Sequence, residues 1–373
     1  MEARDLLCTH PTPFFSGQEA DTLFLAAMQA AVEHHYDHCP EYRALCRYRG
    51  FVPDEFVDLD SLWRLPYLFV NVLKHHTLLS VPADQVVLRL TSSGTTGQTS
   101  QVFFDRASLD LGLGMVAKVF DAFGLKDPTL EVNYIAFVQE PRRGNERGTS
   151  YTDDNVTKLT ARREVVFALR FDERTGDYRF AVDEVLAKMA EFQVSGYPTR
   201  FIGFPSFLYL AMLEHERRGG APFAFGPRCH VITGGGWKVH RDKEVPKAEL
   251  VERLAGFLGL PAANIRDSFG MVEHGVPYVE CEHHRLHVPV YARSLIRDTE
   301  TLAPLPHGEV GLLELCSPFN LAMPTLAILT SDYAVSGHGC PCGRGTDYFT
   351  LLGRAGTRKN KGCAIAALEA SGS

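Results

Sequence analysis

No stretch of this 373-residue chain is apolar for long enough to form a secretory leader or a membrane span, and Met1-Glu2-Ala3-Arg4-Asp5 leads into mixed sequence. The expectation is a protein that does not cross a bilayer. Lysine and arginine never gather into a long run. Thirty-eight of them against 45 acidic residues leave a net charge of −7, which excludes a general nucleic-acid binder. Internal repeats and low-complexity linkers are missing too. The nine cysteines are an odd count, scattered over a chain far larger than a disulfide-stapled scaffold. That usage points to a reduced cytoplasm, with thiols that are buried, metal-bound or reactive.

What is present suits a soluble globular enzyme: 45% hydrophobic and 22% charged residues, over a length that holds about two or three packed subdomains. Apolar periodicity predicts helices over 19–38, 60–65, 107–123, 182–192, 206–217 and 247–258, with Pro40 and Pro66 closing the first two. Strands are expected over 132–138, 165–169, 229–233, 288–291, 309–315 and 325–329, and a polar loop over 140–158. Alternating strands and helices followed by strands predict an α/β fold with layered subdomains and a smaller β-rich subdomain.

The densest chemistry lies in Ser92-Ser93-Gly94-Thr95-Thr96-Gly97, after the apolar Val86-Val87-Leu88. Two glycines and four hydroxyls can offer a polyphosphate many donors at once. The loop has no lysine, so it is not the GxxxxGK[ST] phosphate loop; a surface turn has the same composition. Gly234-Gly235-Gly236 directly follow a strand, where a flat ring or an acyl chain can lie against bare backbone. Asp267-Ser268-Phe269-Gly270-Met271-Val272-Glu273 sets an aromatic beside a glycine between two carboxylates. Phe269 can stack on a purine, Asp267 can accept from its amino group, and Glu273 can hold Mg²⁺. Asp332 ends a strand with a carboxylate suited to ribose hydroxyls, and Arg354 can reach a ribose or a phosphate.

Near the end, Cys363 stands between Gly362 and Ala364, close to Arg358, Lys359 and Lys361. Nearby positive charge lowers a thiol pKa and makes a better nucleophile. The same residues fit a free cysteine in a frayed tail. Apart from these motifs, Cys340 and Cys342 can present two sulfurs to one ion. With Cys281 and one histidine of the 283–287 stretch they complete a Cys₃His set of the structural Zn²⁺ type.

In order and content these motifs resemble the superfamily of adenylate-forming enzymes, which includes acyl-CoA synthetases and peptide-synthetase adenylation domains. The resemblance implies that the 92–97 loop handles the phosphates of ATP. It further implies that Phe269 stacks on adenine, Glu273 carries Mg²⁺, and Asp332 with Arg354 binds the ribose. Val272 departs from the threonine of the superfamily's YGxTE motif. By likeness to the phenylacetate–CoA ligase branch, His287 is the fourth ligand of a Zn²⁺ site and His283 the runner-up.

The pattern GRxGxxKxxGCA over 353–364 resembles the acyl-protein synthetase family of the LuxE type, as do Pro66-Tyr67-Leu68-Phe69-Val70, Lys74 and Gly203-Phe204-Pro205-Ser206. Members belong to a fatty-acid reductase complex and lack the superfamily's mobile second domain. The implied organisation is an N-terminal helical segment over 1–65, a large domain over 66–352 and a truncated tail over 353–373. The implied reaction is activation of a carboxylic, fatty acid as acyl-AMP and transfer to Cys363 for a reductase or other acyl-accepting partner. Lys359, Lys361 or Lys74 would stand in for the missing catalytic lysine. Tyr197-Pro198, the 203–206 stretch and the three glycines are expected walls for an alkyl or aryl acid. Transfer to CoA or to a carrier-protein phosphopantetheine, and a non-catalytic nucleotide binder, are the alternatives.

Overall fold

The computed structural model describes residues 2–91, 100–141 and 156–355. The 92–97 loop, most of the expected 140–158 loop, and Lys359, Lys361 and Cys363 lie outside them.

Helix Gln18–His38 buries Phe24, Ala27, Met28, Ala31, Val32 and His35 at helical spacing. Pro40 does more than close it. The chain turns at Cys39, and Pro40 opens a second helix, Pro40–Tyr48, which the sequence reading missed. A proline at the first helical position loses no hydrogen bond, so one residue can bound two helices.

Seven strands form the larger α/β layer, in the spatial order Tyr278–Val279, Ile265–Phe269, His230–Gly234, Thr199–Gly203, Asp127–Gln139, Thr160–Asp172, Asp177–Phe180. The five central strands run parallel and the two outer ones antiparallel. Helices Val182–Gln193, Pro205–Arg217 and Lys247–Leu258 cover one face, burying Met189, Met212 and Leu254 against Phe137, Phe201 and Val231. On the opposite face Ala136, Ile202 and Ile232 join the larger core, together with the N-terminal helices and a second sheet. Burial on both faces explains why these strands read as apolar runs rather than alternations.

The second sheet orders Leu286–His287, Tyr348–Arg354, Ala327–Gly337, Val310–Cys316, Arg293–Arg297 and Pro304–Leu305, with Leu68–Phe69 parallel to Ala327–Gly337. The strand expected over 288–291 does not form. Val288, Val290 and Tyr291 are buried, but Val290 N–H donates to Pro13 O and Pro289 has no N–H for a ladder. Their apolar character reflects burial without pairing. The strand expected to end at 329 continues to Gly337, and its polar residues are held by cross-strand partners on Tyr348–Arg354.

A buried ion pair ties the N-terminal segment to this sheet. Arg297 pairs with Glu314, donates to Trp63 O at 2.7 Å and Leu302 O at 3.0 Å, and lies 4.9 Å over the Tyr67 ring. Glu314 is fully buried. Arg297→Met is therefore expected to cost about 3–5 kcal/mol in denaturant unfolding, because it strands a carboxylate in the core. A cost below about 1 kcal/mol would show that Glu314 finds another partner.

Candidate active site

The carboxyl ends of parallel strands are where open α/β sheets take ligands. Ala136, Ile202, Ile232 and Arg266 sit in register across four of them. Two residues further on, Gly234 pairs with Ser268. Ser268 Oγ donates to Thr233 O at 2.8 Å, and a Cβ on Gly234 would meet that Oγ at 2.8 Å, so a larger residue would displace the serine hydroxyl from its bond. Gly235 and Gly236 follow at φ 74° and 70°, turning the chain as an L side chain rarely can. The three glycines thus follow the strand end as bare backbone, with Ser268 beside the first of them.

Beside it, Phe269 is half-buried, edge-on to Phe349 with ring centroids 5.8 Å apart and tilted against Tyr278. Gly270 begins the turn that leads to Glu273. Glu273 is 5% exposed and makes no hydrogen bond or ion pair with any described residue. Its oxygens are not among the buried side-chain atoms left without a partner, so the little surface the residue keeps is compatible with a carboxylate open to the site. The donor set thus fits a divalent cation with oxygen ligands.

Asp267 lies on the same strand, two residues before Phe269. Its Oδ1 accepts from Thr233 Oγ1 at 3.1 Å and from its neighbour's backbone, Ser268 N–H, at 3.0 Å. Lys247 Nζ lies 3.8 Å from Asp267 Oδ2 and 3.0 Å from Glu280 Oε2. Sequence reasoning passed over Lys247 and Glu280. The signal was a lysine at a helix start, where the helix dipole disfavours a cation.

On the second sheet, Asp332 and Arg354 are cross-strand partners, and Arg354 Nε donates to Asp332 Oδ1 at 3.0 Å. The arginine side chain is 59% exposed. The aspartate side chain is 14% exposed, so the pair opens to solvent on its arginine side. The expected pair is thus brought together.

The Cys/His motif also converges. Ligand atoms of Cys281, His287, Cys340 and Cys342 all lie within 4.8 Å of one another. Cys281 Sγ is 3.7 Å from Cys340 Sγ, and Cys342 Sγ is 3.1 Å from His287 Nε2. A tetrahedral Zn²⁺ with about 2.3 Å bonds to sulfur needs sulfurs about 3.8 Å apart. Burial, with Arg344 nearby, lowers His287 to about 4, so the ring is neutral at pH 7. His283 is exposed and contributes only its backbone N–H, to Cys281 Sγ. Two short turns shape the cluster: His284 at φ 56° and Gly343 at φ 80°.

A cavity of about 380 Å³ opens on the Ala136–Ile202 side of the sheet, lined by Ala136, Val138, Val165, Phe167 and Ile202, with Arg162 and Arg163 among its polar residues. It abuts the expected wall at Gly203, whose φ of 109° and closeness to Phe137 and Val138 bar any larger residue. Among the described residues no helix is long and apolar enough to cross a membrane.

The family model for acyl-protein synthetase, LuxE, matches residues 2–371. The chain is 30% identical to a long-chain-fatty-acid–luciferin-component ligase of Vibrio harveyi, over 99% of this chain and 93% of that protein. A phenylacetate-coenzyme A ligase of Thermus thermophilus is 24% identical over 85% of this chain and 66% of its own length. Among solved structures, a 2-hydroxyisobutyryl-CoA ligase in its postadenylation state superposes with a TM-score of 0.70 at 15% identity, covering 92% of this chain and 69% of that one. That likeness establishes the fold, the large α/β architecture of adenylate-forming ligases. With a family match over almost its whole length and these ligases as relatives, the chain belongs to the LuxE acyl-protein synthetase family and is an AMP-forming ligase.

Proposed function

We propose that this enzyme activates a long-chain fatty acid as acyl-AMP at the carboxyl ends of its parallel strands, then passes the acyl group to its own Cys363 as a thioester for a reductase or transferase partner. The observation that carries the first half is the pairing of Gly234 with Ser268 at the strand ends, followed directly by half-buried Phe269 and, after the turn, Glu273. The purine lies against the three glycines and Phe269, with Asp267 accepting from its amino group. Asp332 and Arg354 take the ribose, and the 92–97 loop cradles the phosphates. Glu273 would hold Mg²⁺, and the bound ion would neutralise charge on those phosphates.

The acid's carboxylate attacks the α-phosphorus and pyrophosphate leaves. The alkyl chain occupies the apolar cavity beside Ile202 and Val165. The Cys363 thiolate then attacks the acyl carbonyl and AMP departs, with Lys359 or Lys361 stabilising charge near the thiolate. The long-chain class follows the Vibrio harveyi relative, whose name specifies such an acid. The test is ATP–pyrophosphate exchange across fatty and aromatic acids, paired with intact-mass measurement of the protein after ATP and acid. Exchange with long-chain acids and a mass gain of one acyl group support the reading. No exchange with any acid would instead favour a non-catalytic nucleotide binder. Exchange without a protein adduct, but with acyl-CoA formed when CoA is added, would favour a CoA ligase.

We further propose that Cys281, His287, Cys340 and Cys342 hold a structural Zn²⁺, which cross-links the turn after Tyr278–Val279 to the loop before Tyr348–Arg354. Purified protein is expected to contain about one zinc per chain by elemental analysis, and Cys281→Ala is expected to lose the metal and several kcal/mol of stability. A wild-type zinc content near zero would remove the proposal.

A further inference from the structure

The carboxylate assigned to the purine does not stand alone. Lys247 is the first residue of helix Lys247–Leu258, a place where the helix dipole works against a cation. Its ammonium reaches Glu280 Oε2 at 3.0 Å and Asp267 Oδ2 at 3.8 Å. The same Glu280 oxygen accepts from Asp267 N–H at 2.6 Å and lies 3.6 Å from His284 Nδ1. Glu280 itself is 6% exposed. Its backbone N–H donates back to Asp267 O at 2.9 Å, closing a ring of contacts around one residue. A locally unfavourable cation offset by two carboxylates is the kind of broken local rule that marks a functional site.

We propose that Lys247, buttressed by Glu280, is a positioning residue that holds the Asp267 carboxylate ionised and oriented for the nucleotide's exocyclic amino group. Asp267 Oδ1 is fastened by Thr233 and Ser268, so Oδ2 is the oxygen free to turn, and Lys247 is the group that restrains it. An ionised acceptor favours a purine that carries an amino donor at this edge over one that carries a carbonyl. Lys247 thus contributes to nucleotide choice without touching the nucleotide.

The inference rests on the reading of Asp267 as a nucleotide contact, and the experiment separates the two. Acid-dependent pyrophosphate exchange is measured against ATP concentration for wild type, Lys247→Met, Lys247→Arg, Asp267→Ala and the Asp267→Ala/Lys247→Met double variant. Lys247→Met is expected to raise the KM for ATP about tenfold while kcat stays within about twofold, and Lys247→Arg to recover most of that loss. In the Asp267→Ala background, Lys247→Met should add nothing further. A KM unmoved by Lys247→Met although Asp267→Ala raises it, or effects that multiply in the double variant, overturns the inference. A KM unmoved by Asp267→Ala overturns the nucleotide reading instead. Should Lys247→Met fail to fold, Glu280→Gln keeps the acceptor for Asp267 N–H and carries the test. A rise of about threefold or more in KM supports the inference, and an unchanged KM overturns it.

Discussion

Cys363→Ser is expected to abolish the hydroxylamine-labile acyl adduct while ATP–pyrophosphate exchange stays within about twofold of wild type. The two half-reactions separate because the cysteine acts only after pyrophosphate has left. Serine keeps the shape of the side chain, but its hydroxyl is not ionised near neutral pH and cannot match a thiolate as a nucleophile. Of the other eight cysteines seven are buried; Cys342 is half-buried, and despite that burial hydrogen bonds from Arg344 hold its thiol below the usual range, which makes it the one rival among them. Burial pushes the thiols of Cys39 and Cys229 up, Cys46 to about 11 and Cys8 to about 12, and holds Cys316 well above its usual range. Cys281, Cys340 and Cys342 face one another and His287. Cys342 shares its cluster with His287, so Cys363, whose sequence neighbours include Arg358, Lys359 and Lys361, is the acceptor this variant tests. Persistence of the labile adduct in Cys363→Ser would move the acceptor elsewhere.

Glu273→Gln is expected to lower exchange by about 100-fold or more, with an increased Mg²⁺ requirement, and without loss of thermal stability. Glutamine matches glutamate in shape but brings no charge to a divalent cation. The stability half of this prediction comes from its contacts. Glu273 has no donor among the described residues, so neutralising it removes no native contact. A residue there for packing alone would behave in the opposite way, with activity within about threefold of wild type and a lowered melting temperature.

The helices of the α/β layer and its strands over 132–138, 165–169 and 229–233 were legible because their period is local, whereas the central strands Thr199–Gly203 and Ile265–Phe269 were not read as strands. Helix 247–258 was read from its apolar spacing alone and is found as Lys247–Leu258. Motif chemistry was legible for the same reason, since Gly234-Gly235-Gly236 and the stretch from Asp267 to Glu273 are each contiguous. The failures are long-range. Val288-Pro289-Val290-Tyr291 look like a strand because they are buried, and only the absence of a neighbouring ladder shows otherwise. Tyr178 and its neighbours in Asp177–Phe180 make an edge strand that alternation over four residues could not announce.

The sequence by itself determined the family, the motif order and the identity of the groups that can do chemistry, because residue types and their spacing along the chain carry that information. Only the tertiary structure decided which groups meet. It set Lys247 and Glu280 against Asp267 across a helix start and a strand end, left Glu273 nearly buried, and brought the ligand atoms of Cys281, His287, Cys340 and Cys342 within 4.8 Å of one another. Charge pairing, desolvation and metal geometry all depend on distances through space, and residues far apart along a chain carry no record of those distances.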